Sequence, residues 1–238
     1  MKQYSKIAEL YESIFPVSDT LVRFIAEAQS GSNLLLDVGC ATGQLCRKLE
    51  IYFSFIIGID NDPEMVRVAN QRSNNGEKLD FRKMSMQEVD GLSKEGPFNQ
   101  ITCMGNTFVH LEDYGAVNNF LETCYNLLSE KGVLQIQILN YDRIVREKPE
   151  TMPDIKTGDM MFTRKYEYNE ETIKFITGLQ DQASGMIFES SVSLLPIIKA
   201  ELEEGVKAAG FSDYSFYQDF NRTPWEPEGF LTILETKK

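Results

Sequence analysis

Residues 34–49, LLLDVGCATGQLCRKL, constrain the fold more than any other stretch of the chain. The apolar run at 34–38 has the pattern of a short strand buried on both faces. It leads into a turn at 39–43 and then a helical pattern over 44–52, with Leu45 and Leu49 on the inward face. A glycine directly after a strand permits positive φ and close approach of a ligand, because no Cβ intrudes. A second unit of the same kind follows. A buried strand over 55–59 is stopped by Asp60, and Asp62 and Pro63 supply the cap and first turn of a helix running to about residue 72.

The rest of the chain extends this alternation. Residues 5–28 carry two helical patterns, the first with Ile7, Leu10, Tyr11 and Ile14 on one face. Pro16 interrupts it, Ser18 caps a second helix to about residue 28, and Gly31 and Ser32 end that helix. A loop at 73–78 precedes a strand over 79–84. The turn signal KEGP precedes another over 98–104, and a helix over 114–128, a turn SEKG and a fifth strand over 133–139 complete the series. Strands alternating with helices predict a doubly wound, mostly parallel sheet with right-handed crossovers. Ligands in such sheets bind beyond the carboxyl ends of the strands, where strand order reverses. After residue 140 the pattern changes. Segments rich in β-branched and aromatic residues predict three antiparallel strands between about 160 and 195, then a helix over 197–209 closed by Gly210 and a last antiparallel pair over 214–220 and 230–235. The chain is read as one domain, 1–238. It has an N-terminal helical cover over 1–30 and an insertion over 155–195 that arches over the ligand as a lid.

Charge and composition narrow the partners. The formal charge is −12, and no run of Lys and Arg is free of nearby acids, so a nucleic-acid partner is disfavoured and the acidity is read as serving solubility. The four cysteines, Cys40, Cys46, Cys103 and Cys124, form no C-x-x-C pair, so neither a zinc site nor a secreted disulfide framework is expected. No signal peptide opens the sequence and no apolar run is long enough to span a bilayer; a cytoplasmic protein without a membrane partner is the expectation. No sequence pattern specifies an oligomeric state.

The candidate site residues lie at the strand ends. Asp37 can face a ligand's ammonium or its bound water, and Gly39, Cys40, Ala41 and Gly43 form the turn. Asp60, with Asn61 beside it, can accept both hydroxyls of a ribose. Ser85, Met86 and Gln87 follow the third strand. Met104, Gly105 and Asn106 sit where the fourth opens, and His110, the one histidine of the chain, comes after them. Tyr4 and Tyr11 of the entry helices can face the same cleft. A dinucleotide fingerprint requires a third glycine that is missing after Gly43, which speaks against a nicotinamide-dependent oxidoreductase, the alternative on the same topology.

Residues 33–143 resemble the class I S-adenosylmethionine-dependent methyltransferases. CMGNTFVHLED and LQIQILNYDRIV are similar to segments of the glycine and sarcosine N-methyltransferases. The resemblance implies a Rossmann-like methyltransferase sheet, S-adenosylmethionine as cofactor with no metal, and a small-molecule methyl acceptor, with an amine nitrogen as the expected nucleophile. A protein that holds the cofactor without catalysis is a further alternative. The resemblance implies that Ser85 or its neighbours contact the adenine, with Met65 and Met86 sandwiching it. It places Asn140 near the acceptor's carboxylate, beside His110 as a second candidate for the chemistry. Arg164, on the inserted strands, is the candidate clamp for that carboxylate and Tyr4 a further acceptor contact. Methyl transfer needs alignment more than a nucleophilic side chain, consistent with the lack of a triad pattern.

Overall fold

Strand β1 (Leu34–Val38) lies inside a seven-stranded sheet, and its Leu35, Leu36 and Val38 are buried. The computed structural model describes residues 2–28, 34–73 and 77–238, with side chains from residue 7 onward. Helices α1 (Lys2–Ile14) and α2 (Asp19–Glu27) precede β1, and Ser18 caps α2 as expected. The expected stop at Gly31 and Ser32 and the centre of the loop at 73–78 lie outside the described residues.

After β1 come α3 (Gln44–Leu49), β2 (Phe55–Asp60), α4 (Pro63–Arg72), β3 (Leu79–Lys83), β4 (Phe98–Cys103), α5 (Tyr114–Leu127) and β5 (Leu128–Leu139). Next are α6 (Tyr141–Glu147) and the strands β6 (Thr151–Thr157), β7 (Met160–Tyr168), β8 (Ile173–Asp181) and β9 (Ile187–Leu194). Helix α7 (Lys199–Ala208), β10 (Asp213–Tyr217) and β11 (Leu231–Lys237) close the chain. The main sheet has the order β10-β11-β5-β4-β1-β2-β3. Strands β1 to β5 pair in parallel, and β11 runs antiparallel to both β5 and β10. Strand order reverses between β1 and β4, so the crevice for a ligand opens at their carboxyl ends.

Two expectations are corrected and one element is new. The second sheet has four strands, β6-β7-β8-β9, rather than three. Its first strand was hidden because Pro153 and two charged residues interrupt the alternation, and its register with β7 shifts between Met152 and Ile155. A proline is accommodated on such an edge strand. The SEKG segment is a bulge inside β5 rather than a turn before it. Lys131 has φ 64° there, and the pairing with β4 shifts between Phe98 and Gln100. Residues 141–147, unassigned in the sequence reading, form α6, capped by Asn140.

Apolar residues cover both faces of the main sheet. A third cluster joins Ile7, Leu10 and Ile14 of α1 to Phe162 and Leu179 of the second sheet. The apolar stripe read on the first helix thus faces the inserted strands. The second sheet is also tied down where Leu195 N–H donates to Val109 O at 2.8 Å, which sets β9 against the segment that follows β4.

Candidate active site

A cavity of about 1000 Å³ opens at the carboxyl ends of β1, β2, β3 and β4. Its floor is set by the turn after β1. The N–H groups of Gly39 and Cys40 donate to Ile59 O at 2.8 and 2.9 Å, which fixes the turn onto β2. Gly39 has φ 78°, and a Cβ there would lie 2.3 Å from Thr107 Cγ2. Gly43 has φ 74°, and a Cβ there would lie 2.5 Å from the Phe81 ring. Both glycines are required by backbone conformation and by a protein neighbour at close approach.

Asp60 ends β2 at the cavity wall. Ala41 N–H donates to its Oδ2 and Asp62 N–H to its Oδ1, each at 2.9 Å. Burial raises its pKa, and those backbone donors act against the rise. Tyr11 reaches the same cavity from α1. Its phenol is pushed up to about 12, first by burial and then by the charges of Asp60 and Cys40. Beyond β3, Ser85 caps the short 3-10 helix Met86–Leu92. Its hydroxyl accepts from Gln87 N–H, and Glu88 reaches back to Ser85 N–H. Met65, Met84 and Met86 belong to the apolar part of the wall.

On the β4 side, Gly105 has φ 72°, donates its N–H to Gln137 Oε1 at 2.8 Å, and has nothing within 4 Å of where a Cβ would stand. His110 ends the 3-10 turn Phe108–His110. Its ring is accessible because it stands at the cavity wall, yet the surrounding protein desolvates it and holds its pKa below the ordinary imidazole range.

The cavity brings together eleven of the residues picked from sequence: Tyr11, Gly39, Ala41, Asp60, Asn61, Met65, Ser85, Met86, Gln87, Gly105 and His110. Others are used elsewhere. Asp37 is buried, accepting from Thr102 Oγ1 at 2.9 Å and Cys46 Sγ at 3.2 Å. Cys40 and Met104 pack in the core, and Gly43 faces Phe81. Asn106 has φ 67° and clasps Tyr141 and Leu139 N–H through its carboxamide. The expectation for Asn140 is corrected. It is buried, its oxygen caps α6 at Arg143 N–H, and its amide donates to the carbonyls of Glu226, Pro227 and Gly229. Arg164 is corrected too. It donates to Pro153 O and lines a separate depression between β6 and β7. The side chain of Tyr4 lies outside the described residues. Thr107, Leu111, Glu112 and Val192 line the wall as well, beside Asp62, Pro63, Glu64 and Met84, and none of these eight is among the site residues expected from sequence. The first three flank His110 within one segment, which was a usable signal. Val192 comes from β9, and no local pattern points to it.

Residues 35–132 match a family model described as a methyltransferase domain. The ubiquinone biosynthesis O-methyltransferase of Xanthomonas euvesicatoria is 32% identical over 107 residues, 44% of this chain and 43% of that one, so the match spans less than half of that relative. The glycine/sarcosine N-methyltransferase of Parasynechococcus marenigrum is 22% identical over 223 residues, 91% of this chain and 76% of that one. Among solved structures, an S-adenosylmethionine-dependent methyltransferase from Clostridium acetobutylicum superposes with a TM-score of 0.84 at 17% identity, covering 98% of both chains.

Residues 35–132 thus match a methyltransferase domain, and the chain shares its fold with solved S-adenosylmethionine-dependent methyltransferases. The cavity fits that cofactor on its own chemistry: a carboxylate at the end of β2, methionines beside it, and open space over Gly105. Among the described residues no lysine or arginine lines it, as a site for the pyrophosphate of a dinucleotide would favour. No group of three or more His, Cys, Asp or Glu among them is placed to hold a metal, and no helix among them is long and apolar enough to cross a membrane.

Proposed function

We propose that the protein transfers the methyl group of S-adenosylmethionine to an amine nitrogen of a small molecule. The observation that carries this reading is the Asp60 carboxylate, which shares one cavity with Ala41, Met65, Met86 and His110. In this reading Asp60 accepts the ribose hydroxyls as a bidentate acceptor, and Met65 and Met86 hold the adenine, with Gln87 at its polar edge. Tyr11 and Gly105 border the space where the reacting groups meet. Bound S-adenosylmethionine supplies a methyl group already activated by a positive sulfur, which leaves with the bonding pair. The protein aligns nucleophile, carbon and sulfur, and orientation of this kind is worth roughly 7–11 kcal/mol of barrier. His110 is neutral near pH 7, because burial holds its pKa down, so its ring can take the proton that the amine loses. Val192 of β9 stands over the cavity, which supports the inserted sheet as the lid that excludes water. The name of the relative that acts on glycine and sarcosine supports nitrogen as the acceptor atom.

Titration calorimetry with S-adenosylmethionine tests the assignment. Asp60→Ala is expected to weaken binding at least about tenfold, since a charge-assisted hydrogen-bond pair is lost. Equal affinities for the two proteins would remove the ribose assignment.

A further inference from the structure

The cavity walls carry four carboxylates, Asp60, Asp62, Glu64 and Glu112, and among the described residues no lysine or arginine. Three of the four are engaged. Asp60 accepts two backbone N–H groups, Asp62 caps α4 at Glu64 N–H, and Glu64 pairs with Arg67 at 3.0 Å. Glu112 is different: among the described residues its carboxylate takes part in no hydrogen bond or ion pair, and it lines the cavity from the segment that carries His110. In the sheet order β4-β1-β2-β3, that segment lies across the reversal point from the ends of β2 and β3, where the adenosine is placed. Arg164, the sequence candidate for a carboxylate clamp, donates to Pro153 O and faces a different depression. A carboxylated acceptor would therefore meet an unpaired acid and no cationic side chain of the cavity wall, an unfavourable pairing of like charges.

We propose that the acceptor is an amine bearing no carboxylate or phosphate, and that Glu112 is the counter-charge that binds its ammonium form. The inference rests on the methyltransferase reading above and sets the acceptor class apart from that named for the glycine/sarcosine relative. The ammonium passes one proton to His110. The freed lone pair forms the N–C bond as the C–S bond breaks toward sulfur.

Ethanolamine and glycine form a matched pair: their amines have similar basicity, and a hydroxymethyl in one replaces the carboxylate of the other. Formation of S-adenosylhomocysteine is measured with each, on the parent protein and on Glu112→Gln, with calorimetry of S-adenosylmethionine in parallel. The expected result is a kcat/KM for ethanolamine at least about tenfold above that for glycine. Glu112→Gln should lower the ethanolamine value about tenfold, chiefly through KM, with donor affinity within about twofold. Glycine turned over as well as ethanolamine overturns the proposal, as does an ethanolamine KM indifferent to Glu112→Gln. Donor binding with neither amine methylated overturns it while leaving the cofactor reading intact. Absence of donor binding takes down both.

Discussion

Asp37 shows how one side chain can be conspicuous in sequence and serve a different end in the fold. It was picked as a ligand contact at a strand end. In the structure it is 2% exposed, its two oxygens are taken by Thr102 and Cys46, and burial pushes its pKa up from 3.8 to about 6. A folded-state pKa above the unfolded value means that the native state binds the proton more tightly. That stabilisation is complete below the unfolded value and is lost as pH rises through about 6, a span of about 3 kcal/mol. Asp37→Asn removes the ionisation. It is expected to raise stability in denaturant titrations at about pH 8 by ~1–3 kcal/mol, and to flatten the dependence between about pH 4 and 6. A variant less stable than its parent at the higher pH would show that the bonds from Thr102 and Cys46 to the charged form outweigh burial. Asp60, by contrast, ends β2 at the cavity wall, because a carboxylate that closes this parallel strand stands at the crevice.

At the scale of elements, Asn140 carries the lesson. In sequence N-Y-D resembles an acceptor site, and the structure makes its asparagine a joint. The carboxamide starts α6 and holds the loop at 226–229, eighty-six or more residues away. Asn140→Ala is expected to cost about 1–3 kcal/mol of unfolding free energy, from one lost cap and the lost donor to the partly exposed carbonyls of the 226–229 loop. Affinity for S-adenosylmethionine should stay within about twofold. A loss of donor binding without a loss of stability would return the residue to the site. Elements with an unbroken local pattern, such as β1, β2, α4 and α7, were legible within a few residues. Strand β6 was not, because Pro153 breaks its alternation. The start of β5 was not, because Lys131 and Gly132 mark a bulge and a turn equally well in one dimension.

For the whole molecule, the field of a chain carrying −12 draws cations toward an acidic cavity and is weakened by salt. With the donor saturating, kcat/KM for ethanolamine is expected to fall about three- to tenfold between about 20 and 300 mM sodium chloride. A flat profile would confine the acidity to a solubilising role. What the sequence alone determined is the alternating architecture and the strand ends at which a ligand can bind, because these follow from local apolar periodicity, the glycine turn and an acid at a strand end; the strand order that reverses between β1 and β4 came from the tertiary structure. Tertiary structure alone decided which polar groups remain free. Whether Asn140, Asn106, Arg164 or Glu112 can meet a ligand depends on whether carbonyls and N–H groups distant in sequence have already claimed it. Hydrogen-bond satisfaction of that kind is a property of three-dimensional neighbours, which residue spacing does not encode.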